Sequence, residues 1–464
     1  MSSPPALPGL HSGETPIDRA LTLRLAGEQE TALRWAAAAL QAEPELPTAL
    51  LLVAELLAGL GRKEPAREGL EACVVRAIDA GLLPLSVAAC VALRQLGVNA
   101  SKSYDAIADA FSADSVRLDD DSHAQPPPPP RGGDLQPLSS LLMGPALLNK
   151  AVEILRAATG LLRAAVQEER ESSPAPMIPR LPLFSELNRA ALRALIEAFE
   201  VRVVPAGGVL IEEGQPGTEA FIVARGELEV RRVGLDSRTS DAARDAAAGT
   251  VLARLQSGQV FGEMALVSRA PRAASVVASR PSMVLAAPVE TLEAVAARAP
   301  QVGEQLAKFC RQRMLQNLIR TSPILRVVAP EEREDLVARF ETNTYEAGEH
   351  LIRRGEVANG LHLIASGEVE VVTEEGGEKL VLASLGPGEV VGEVAMILRR
   401  SAVADVVAVH PSVTLHLSGA GFQEMLRRHP RLLAELYELA VKRDEETSSV
   451  VAQEATSADD YVLV

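Results

Sequence analysis

From about residue 182 onward, the sequence consists of two copies of one pattern. The Gly-Glu pair at 226–227 recurs at 367–368, an offset of 141, whereas the pair at 262–263 recurs at 392–393, an offset of 130. The offsets differ by eleven, so the first copy contains an eleven-residue insertion between the two motifs. We expect it within 234–249, a polar and Ala-rich segment, because surface loops tolerate insertions. A repeat with a single change of length predicts two copies of one domain.

Each copy is made of short runs of Val, Ile and Leu that lie between glycine and proline turns. Runs of this length, spaced by roughly ten residues, predict an antiparallel β-roll or barrel. A helical stretch follows each copy, at about 290–320 and 420–443. The predicted fold is multidomain α + β: an N-terminal α-helical array followed by two antiparallel β-rolls of the jelly-roll kind with flanking helices.

The N-terminal region 17–111 is rich in Ala, Leu, Glu and Arg, with apolar residues at helical spacing. Three of its positions recur 34 residues later: Gly27, Ala32 and Leu40 return as Gly61, Ala66 and Val74. This period is the tetratricopeptide one. We therefore expect a tetratricopeptide-like array, although a third unit is not clear in the sequence and an Ala-rich helical bundle is the alternative.

Changes in composition divide the rest of the chain. Residues 126–130 are five consecutive prolines, followed by a Gly-Gly pair, which predicts an extended linker. The predicted segments are a disordered N-terminus at 1–16, the helical domain at 17–111, a Pro/Gly/Asp-rich linker at 112–140, connecting helices at 141–170, a first β-roll domain at 180–320, a second at 321–443 and a polar tail at 444–464.

Charge and composition exclude several classes of function. The formal net charge of −16 repels phosphate backbones, so we expect neither nucleic-acid nor membrane binding. The three cysteines are far apart and form no metal-binding pair, which suits a reducing cytoplasm. We expect no signal peptide and no membrane span. Since no nucleophile, acid–base or metal-ligating constellation is recognisable, we expect a protein that is not an enzyme and holds no metal or other cofactor.

The most informative stretch is FGEMALVSRAPRAAS, from Phe261 to Ser275. It resembles the phosphate-binding cassette of cyclic-nucleotide-binding domains, as in regulatory subunits of cyclic-AMP-dependent protein kinase. The resemblance covers roughly residues 180–443 and includes the Gly-Glu turn at 226–227.

The resemblance implies that Glu263 accepts a hydrogen bond from the ribose 2′-hydroxyl and that Arg272 holds the phosphate. An arginine suits that role because its guanidinium is permanently charged and has a fork of donors. The competing interpretation is a surface salt pair beside a glycine turn. The remaining residues expected to line the site are Gly262, Met264, Ala265, Ala273 and Ala274.

In this family, Thr or Ser directly after the arginine accompanies cyclic GMP, whereas Ala accompanies cyclic AMP. Ala273 therefore favours cyclic AMP over cyclic GMP as the ligand. The second cassette, VGEVAMILRRSAVAD, keeps Gly392 and Glu393 but has Ala402 at the position of the arginine. Because burying a phosphate without a cationic partner is costly, we expect this second site to be degenerate.

These features predict a cytoplasmic cyclic-nucleotide sensor that acts as a regulatory adaptor. Cyclic AMP would bind the first β-roll, and the N-terminal helical region would contact a protein partner that the sequence does not identify. The linker region 112–180 has no Arg-Arg pair, which argues against inhibition of a kinase through a pseudosubstrate. The alternative is a protein-interaction scaffold in which both β-rolls have lost ligand binding.

Overall fold

The computed structural model of the chain describes residues 14–119, 156–166, 176–232, 249–267, 270–337, 339–375 and 378–460. The predicted disordered residues before 14, the five prolines and most of the predicted connecting helices lie outside these ranges. The chain divides into two compact units. The first comprises residues up to 213, 219–263 and 274–306, and the second comprises 214–218, 264–273 and everything from 307 onward.

The first unit begins with helical hairpins. Within residues 14–119, six helices are present: α1 (Pro16–Leu25), α2 (Gln29–Ala42), α3 (Pro47–Gly59), α4 (Lys63–Asp79), α5 (Leu83–Gln95) and α6 (Ser101–Phe111). Gly27, Gly61 and Gly97 form the turns inside three successive hairpins, each with a φ near +80° that favours glycine. The pair α5–α6 is the third hairpin, which the sequence did not make clear. The tetratricopeptide-like character of the array stays a prediction.

The two ends of the segment that follows α6 lie side by side. Strand β1 (Leu118–Asp119) pairs in parallel with β2 (Ile178–Pro179). Between them, helix α7 (156–166) packs closely on α4. A Cβ on Gly69 of α4 would lie only 2.6 Å from the Cδ1 atom of Leu162, and Arg163 pairs with Glu68 at 2.9 Å. The segment therefore begins and ends at the same place, where β1 and β2 pair. For this reason, the number of residues in the segment does not set the distance between the helices and the first β-roll.

The helical region packs directly on the first β-roll. Helix α8 (Arg189–Ile196) meets α6 through Asp105, which pairs with Arg189 at 2.8 Å and with Arg193 at 2.6 Å. Arg94 of α5 donates to the carbonyl oxygens of Glu197 and Phe199, both at 3.2 Å. These contacts make the helices and the first roll parts of one compact unit.

The first roll contains two four-stranded antiparallel sheets, with strand orders β3-β10-β5-β8 and β4-β9-β6-β7. Its apolar core lies between the sheets and includes Phe221 and Phe261, whose stacked rings have centroids 5.2 Å apart. The strands are β3 (Glu200–Val204), β4 (Val209–Ile211), β5 (Glu219–Arg225), β6 (Glu227–Arg232), β7 (Thr250–Gln256), β8 (Val260–Phe261), β9 (Ser275–Ala278) and β10 (Ser282–Pro288).

The second roll has the same topology, with strand orders β11-β18-β13-β16 and β12-β17-β14-β15. Its strands are β11 (Glu341–Tyr345), β12 (His350–Ile352), β13 (Gly360–Ser366), β14 (Val369–Glu375), β15 (Glu378–Leu385), β16 (Val390–Val391), β17 (Asp405–Ala408) and β18 (Ser412–Ser418). The predicted pair of antiparallel rolls is confirmed.

Strand register locates the eleven-residue insertion. Arg232 of β6 pairs with Thr250 of β7, and Thr373 of β14 pairs with Leu380 of β15. These pairs are equivalent, because the numbers of Arg232 and Thr373 differ by the first offset and those of Thr250 and Leu380 by the second. The whole difference in length therefore falls in the β6–β7 connection, as the repeat analysis predicted.

The Gly-Glu turn that is common to both copies has a steric cause. Gly226 has a φ of +102°, and a Cβ there would lie 2.2 Å from the Oγ of Ser282. Gly367 has a φ of +89° and the same 2.2 Å relation to Ser412. In each roll, this glycine lets the strand pass directly against the serine, so the turn has a role in shaping the roll.

The helices around the rolls are longer and more broken than the sequence predicted. The stretch 290–320 is two helices, α9 (Val289–Arg298) and α10 (Pro300–Thr321), with α11 (Pro323–Arg326) and α12 (Pro330–Val337) before the second roll. Inside that roll, α13 (Glu393–Leu398) follows β16. After it come α14 (Gly419–Arg428) and α15 (Pro430–Asp460), so the expected polar tail from 444 is helical as far as residue 460. None of the helices in the described ranges is long and apolar enough to cross a membrane.

Candidate functional site

The first cassette begins where β8 ends. Gly262 has a φ of +73°, which allows the chain to turn sharply from the strand into a 3-10 helix at Glu263–Leu266. The turn carries Glu263 and Ala265 inward, so that they are only 6% and 4% exposed. Burying a carboxylate this deeply costs free energy unless polar groups surround it. Such burial is more typical of a binding site than of a surface turn.

The backbone of Arg272 is fixed by a short antiparallel contact with the loop before β5. The N–H of Arg272 donates to the carbonyl of Gln215 at 2.9 Å, and its own carbonyl accepts from the N–H of Gly214 at 2.8 Å. A Cβ on Gly217 would lie 3.2 Å from the guanidinium carbon of Arg272 and 2.8 Å from the Cβ of Ala265. Gly217 therefore leaves the space that the arginine side chain occupies, a role that the sequence analysis missed.

The three residues after the arginine have different environments. Ala273 is exposed and Ala274 is half-buried. Ser275 is buried, and its Oγ accepts a hydrogen bond from the backbone N–H of Glu213 at 2.9 Å. Ser275 thus holds the edge of β9 in place.

The cassette is connected to helix α10 through apolar contacts inside the second unit. Met264 and Val267 pack against a buried cluster to which Met314 and Leu318 of α10 belong. The side chains of the cassette therefore touch the core around α10.

The second cassette repeats the backbone geometry of the first. Ala402 donates to the carbonyl of Glu356 at 2.9 Å and accepts from the N–H of Gly355 at 2.8 Å, the same pair of bonds that Arg272 makes. Ala402 therefore occupies the arginine position, and Ala358 occupies the position equivalent to Gly217, the space-giving glycine. Where no guanidinium needs room, the glycine is absent as well.

Two side chains of the second cassette have partners outside the cassette. Asp405 takes the place of Ser275 and accepts from the N–H of Arg354 at 3.0 Å, with the Nδ1 of His350 at 3.3 Å. Glu393 is 1% exposed and its Oε1 accepts from Arg443 of α15 at 2.6 Å. Burial raises the pKa of the Glu393 carboxyl, and the Arg443 guanidinium opposes that rise. Arg443 could not be predicted from the sequence, because it follows Glu393 by fifty residues and no local motif marks it.

Within the part of the chain that the structure describes, no group of three or more His, Cys, Asp or Glu residues could hold a metal ion. Cys73, Cys90 and Cys310 are all buried, and none of them forms a disulfide. Burial raises the pKa of the Cys90 thiol to about 12, which makes this cysteine unreactive near neutral pH.

Comparison with known proteins identifies the two rolls. The family model described as the cyclic nucleotide-binding domain matches residues 201–299 and 342–429. A cAMP-dependent protein kinase regulatory subunit from Schizosaccharomyces pombe is 32% identical over 217 residues, 46% of this chain and 50% of that protein. The corresponding subunit from Emericella nidulans is 29% identical over 245 residues, 53% of this chain and 57% of that protein.

The chain therefore spans only about half the length of the curated relatives it matches. Among solved structures, the regulatory domain of Toxoplasma gondii PKA with cAMP is similar at 23% identity, covering 57% of this chain and 92% of that chain with a TM-score of 0.26. The match to the family model agrees with the strand topology: residues 201–299 and 342–429, one stretch in each β-roll, match the cyclic nucleotide-binding domain.

Proposed function

We propose that this chain is a cytoplasmic regulatory protein that senses cyclic AMP with its first β-roll and acts through a protein partner. The observation that carries the proposal is the placement of Arg272, whose backbone is pinned to the loop at 214–215 while Gly217 makes room for its guanidinium. A cyclic phosphodiester carries one negative charge, which a guanidinium at this position neutralises through a charge-assisted contact. Glu263, buried at the start of the cassette, supplies the acceptor for the ribose 2′-hydroxyl.

The choice of cyclic AMP over cyclic GMP rests on Ala273. In the family that the first cassette resembles, Thr or Ser at this position accompanies cyclic GMP, whereas this chain has Ala. The relatives described above are named as regulatory subunits of a cAMP-dependent kinase, which supports the same ligand and a regulatory role without catalysis.

Ligand binding in the first roll could affect two other parts of the chain through direct contacts. Met264 and Val267 connect the cassette to the core around α10. In the first unit, α5 and α6 pack on the roll through Arg94 and Asp105, so a change in the roll reaches the helical region without a flexible spacer. We propose that this region contacts the partner and that a kinase catalytic subunit, as the names of the relatives suggest, is the first partner to test. Three buried cysteines that form no disulfide suit the cytoplasm.

The test is calorimetric titration of the full chain with cyclic AMP and with cyclic GMP. We expect one cyclic AMP per chain and weaker binding of cyclic GMP. Arg272→Ala should weaken cyclic AMP binding by about 10- to 100-fold, because a hydrogen-bonded charge contributes roughly 1.5–3 kcal/mol. Arg254→Ala is the matched control, since Arg254 is an exposed arginine of the same roll outside the cassette.

Equal affinities in the Arg272→Ala variant and the wild type would refute the assignment of the phosphate contact. If neither nucleotide bound the wild type, the chain would be better explained as a scaffold built from two rolls that have lost their ligand.

A further inference from the structure

Helix α7 joins the helical region differently from α1 to α6. Those six helices follow one another through short turns, whereas residues 120–155 separate α7 from β1 and residues 167–177 separate it from β2. Because β1 and β2 pair with each other, both ends of the segment are held whether or not α7 is docked. Helix α7 can therefore leave its place while the hairpins and the first roll keep their own contacts.

The face by which α7 is docked is narrow. Within 156–166, the buried side chains are Ala158, Leu162 and Ala165, whose spacing of four and then three residues places them on one side of the helix. Ala157 and Gly160 are exposed. One leucine and two alanines bury less apolar surface than the inner faces of α1 to α6 do, and such burial is what holds a helix on its neighbours.

A groove between α3 and α4 receives this face. Gly69 of α4 lies where the three helices meet: a Cβ there would be 3.1 Å from the Cβ of Ala54 in α3 and 2.6 Å from the Cδ1 of Leu162. Glycine in the middle of a helix is destabilising relative to alanine, so its presence here calls for a packing reason. The reason that the contacts give is that Gly69 leaves the space for one leucine side chain.

Two polar side chains of α4 fix the position of the docked helix. Arg76 is only 9% exposed and donates to the carbonyl of Ala165 and to that of Pro44, just before α3. Glu68 accepts from Arg163 at 2.9 Å. The α3–α4 groove (Ala54, Glu68, Gly69 and Arg76) thus matches a helix that has a leucine, a small residue four positions before it and three after it, and a basic residue directly after the leucine.

We infer that the α3–α4 groove is a protein-docking site, that α7 occupies it in the free chain, and that a partner protein takes it with an amphipathic helix of the same pattern. A helix laid into an apolar groove is a common mode of recognition. The tethered α7 competes at a high local concentration, so a partner helix has to bind more tightly than α7 does. The inference rests on the partner contact proposed above and names its surface, but its test involves no nucleotide and can fail while the assignment of cyclic AMP stands.

The test measures how a fluorescein-labelled peptide with the sequence of residues 150–170 binds to the full chain, by fluorescence anisotropy. Leu162→Glu in the chain puts a carboxylate on the buried face of α7 and should release it. This variant should bind the peptide about tenfold or more tightly than the wild type, because the competitor is gone. Ala157→Glu is the matched control: it places the same carboxylate on the exposed side of α7 and should bind the peptide as weakly as the wild type.

A substitution in the groove should have the opposite effect. In the Leu162→Glu chain, Gly69→Ala should weaken peptide binding by about tenfold, because the added methyl group takes the space of the peptide's leucine. Gly59→Ala is the matched control, since Gly59 also lies in a helix and its Cβ would meet the flexible side chain of Gln29. It should leave the affinity unchanged.

A reversal of charge keeps the test decisive if Gly69→Ala disturbs the array. A peptide with Arg163→Glu should bind the Leu162→Glu chain about threefold more weakly, and adding Glu68→Arg to that chain should restore its affinity.

The inference is overturned if the peptide binds the Leu162→Glu chain no more tightly than the wild type, or if its affinity is the same after Gly69→Ala and after the charge reversal. It is also overturned if the wild-type chain is a dimer in light scattering and Leu162→Glu makes it a monomer, because α7 of a second copy would then be the occupant of the groove.

Discussion

A buried ion cluster joins helix α1 to the first β-roll, and its removal should destabilise the first unit. Asp18 has a side chain that is 2% exposed; it pairs with Arg225 at 2.6 Å and also with Arg280. Arg225 is 11% exposed and in addition donates to the carbonyl of Pro281 at 3.1 Å. The two arginines hold the pKa of Asp18 below its usual value, although burial acts to raise it.

Asp18→Asn removes the charge and keeps the shape. The amide oxygen of Asn still accepts from the N–H of Thr15, so the cap of α1 survives. What is lost is the compensation for two partly or fully buried guanidinium groups. Breaking one side of a buried pair costs roughly 3–5 kcal/mol, and because Arg280 is 33% exposed we expect the lower end, about 3 kcal/mol.

The assay is urea unfolding followed by the fluorescence of Trp35. The chain has a single tryptophan, and it lies buried in α2, so the signal reports on the first unit. Glu71→Gln is the matched control: it removes a carboxylate that pairs with Arg67 on the exposed face of α4, and it should leave the transition unchanged within error.

The pH dependence of the same variant has a definite sign. A carboxyl group whose pKa is lowered in the folded state contributes stability above its unfolded pKa of about 3.9 and loses it as the pH falls. The difference between wild type and Asp18→Asn should therefore be largest near neutral pH and shrink below about pH 4. A difference no larger than that of Glu71→Gln at neutral pH would refute the idea that the cluster holds the helices on the roll.

Three more outcomes are expected. Burial lowers the pKa of His362 from 6.5 to about 4, so the second unit should lose about 2 kcal/mol between pH 7.5 and pH 5, measured by circular dichroism, and His362→Gln should remove most of that loss. Gly226→Ala should destabilise the first roll far more than Gly258→Ala in thermal unfolding, because both have a positive φ but only Gly226 lacks room for a Cβ. Gly217→Ala should weaken cyclic AMP binding in calorimetry by displacing the cassette arginine, whereas Ala358→Gly in the second roll should have no effect on it.

Most of the architecture could be predicted from local sequence patterns. Short apolar runs that alternate with glycine turns are a property of neighbouring residues, so both rolls could be predicted. The change of offset placed the insertion in the same loop as the register of β6 and β7 does. The cassette could be predicted for the same reason, because its motif spans only eleven residues, from Gly262 through Glu263 to Arg272.

Contacts between residues that are far apart in the sequence could not be predicted from local patterns. Asp18 meets Arg225 across 207 residues, and Arg443 meets Glu393 across 50. A lone carboxylate in an amphipathic helix has the same local sequence whether it faces solvent or a buried arginine, so neither pair could be predicted. The paired ends of the Pro-rich segment, at Leu118 and Ile178, were missed because a composition that predicts a linker does not say where its two ends lie.

The two rolls together explain why one cassette departs from the family pattern without losing its fold. The backbone bonds of Arg272 and Ala402 to the preceding loop are the same, so the cassette is held by main-chain contacts that do not depend on the arginine side chain. The side chain can therefore differ between the two rolls, and its neighbour differs with it, as Gly217 and Ala358 do.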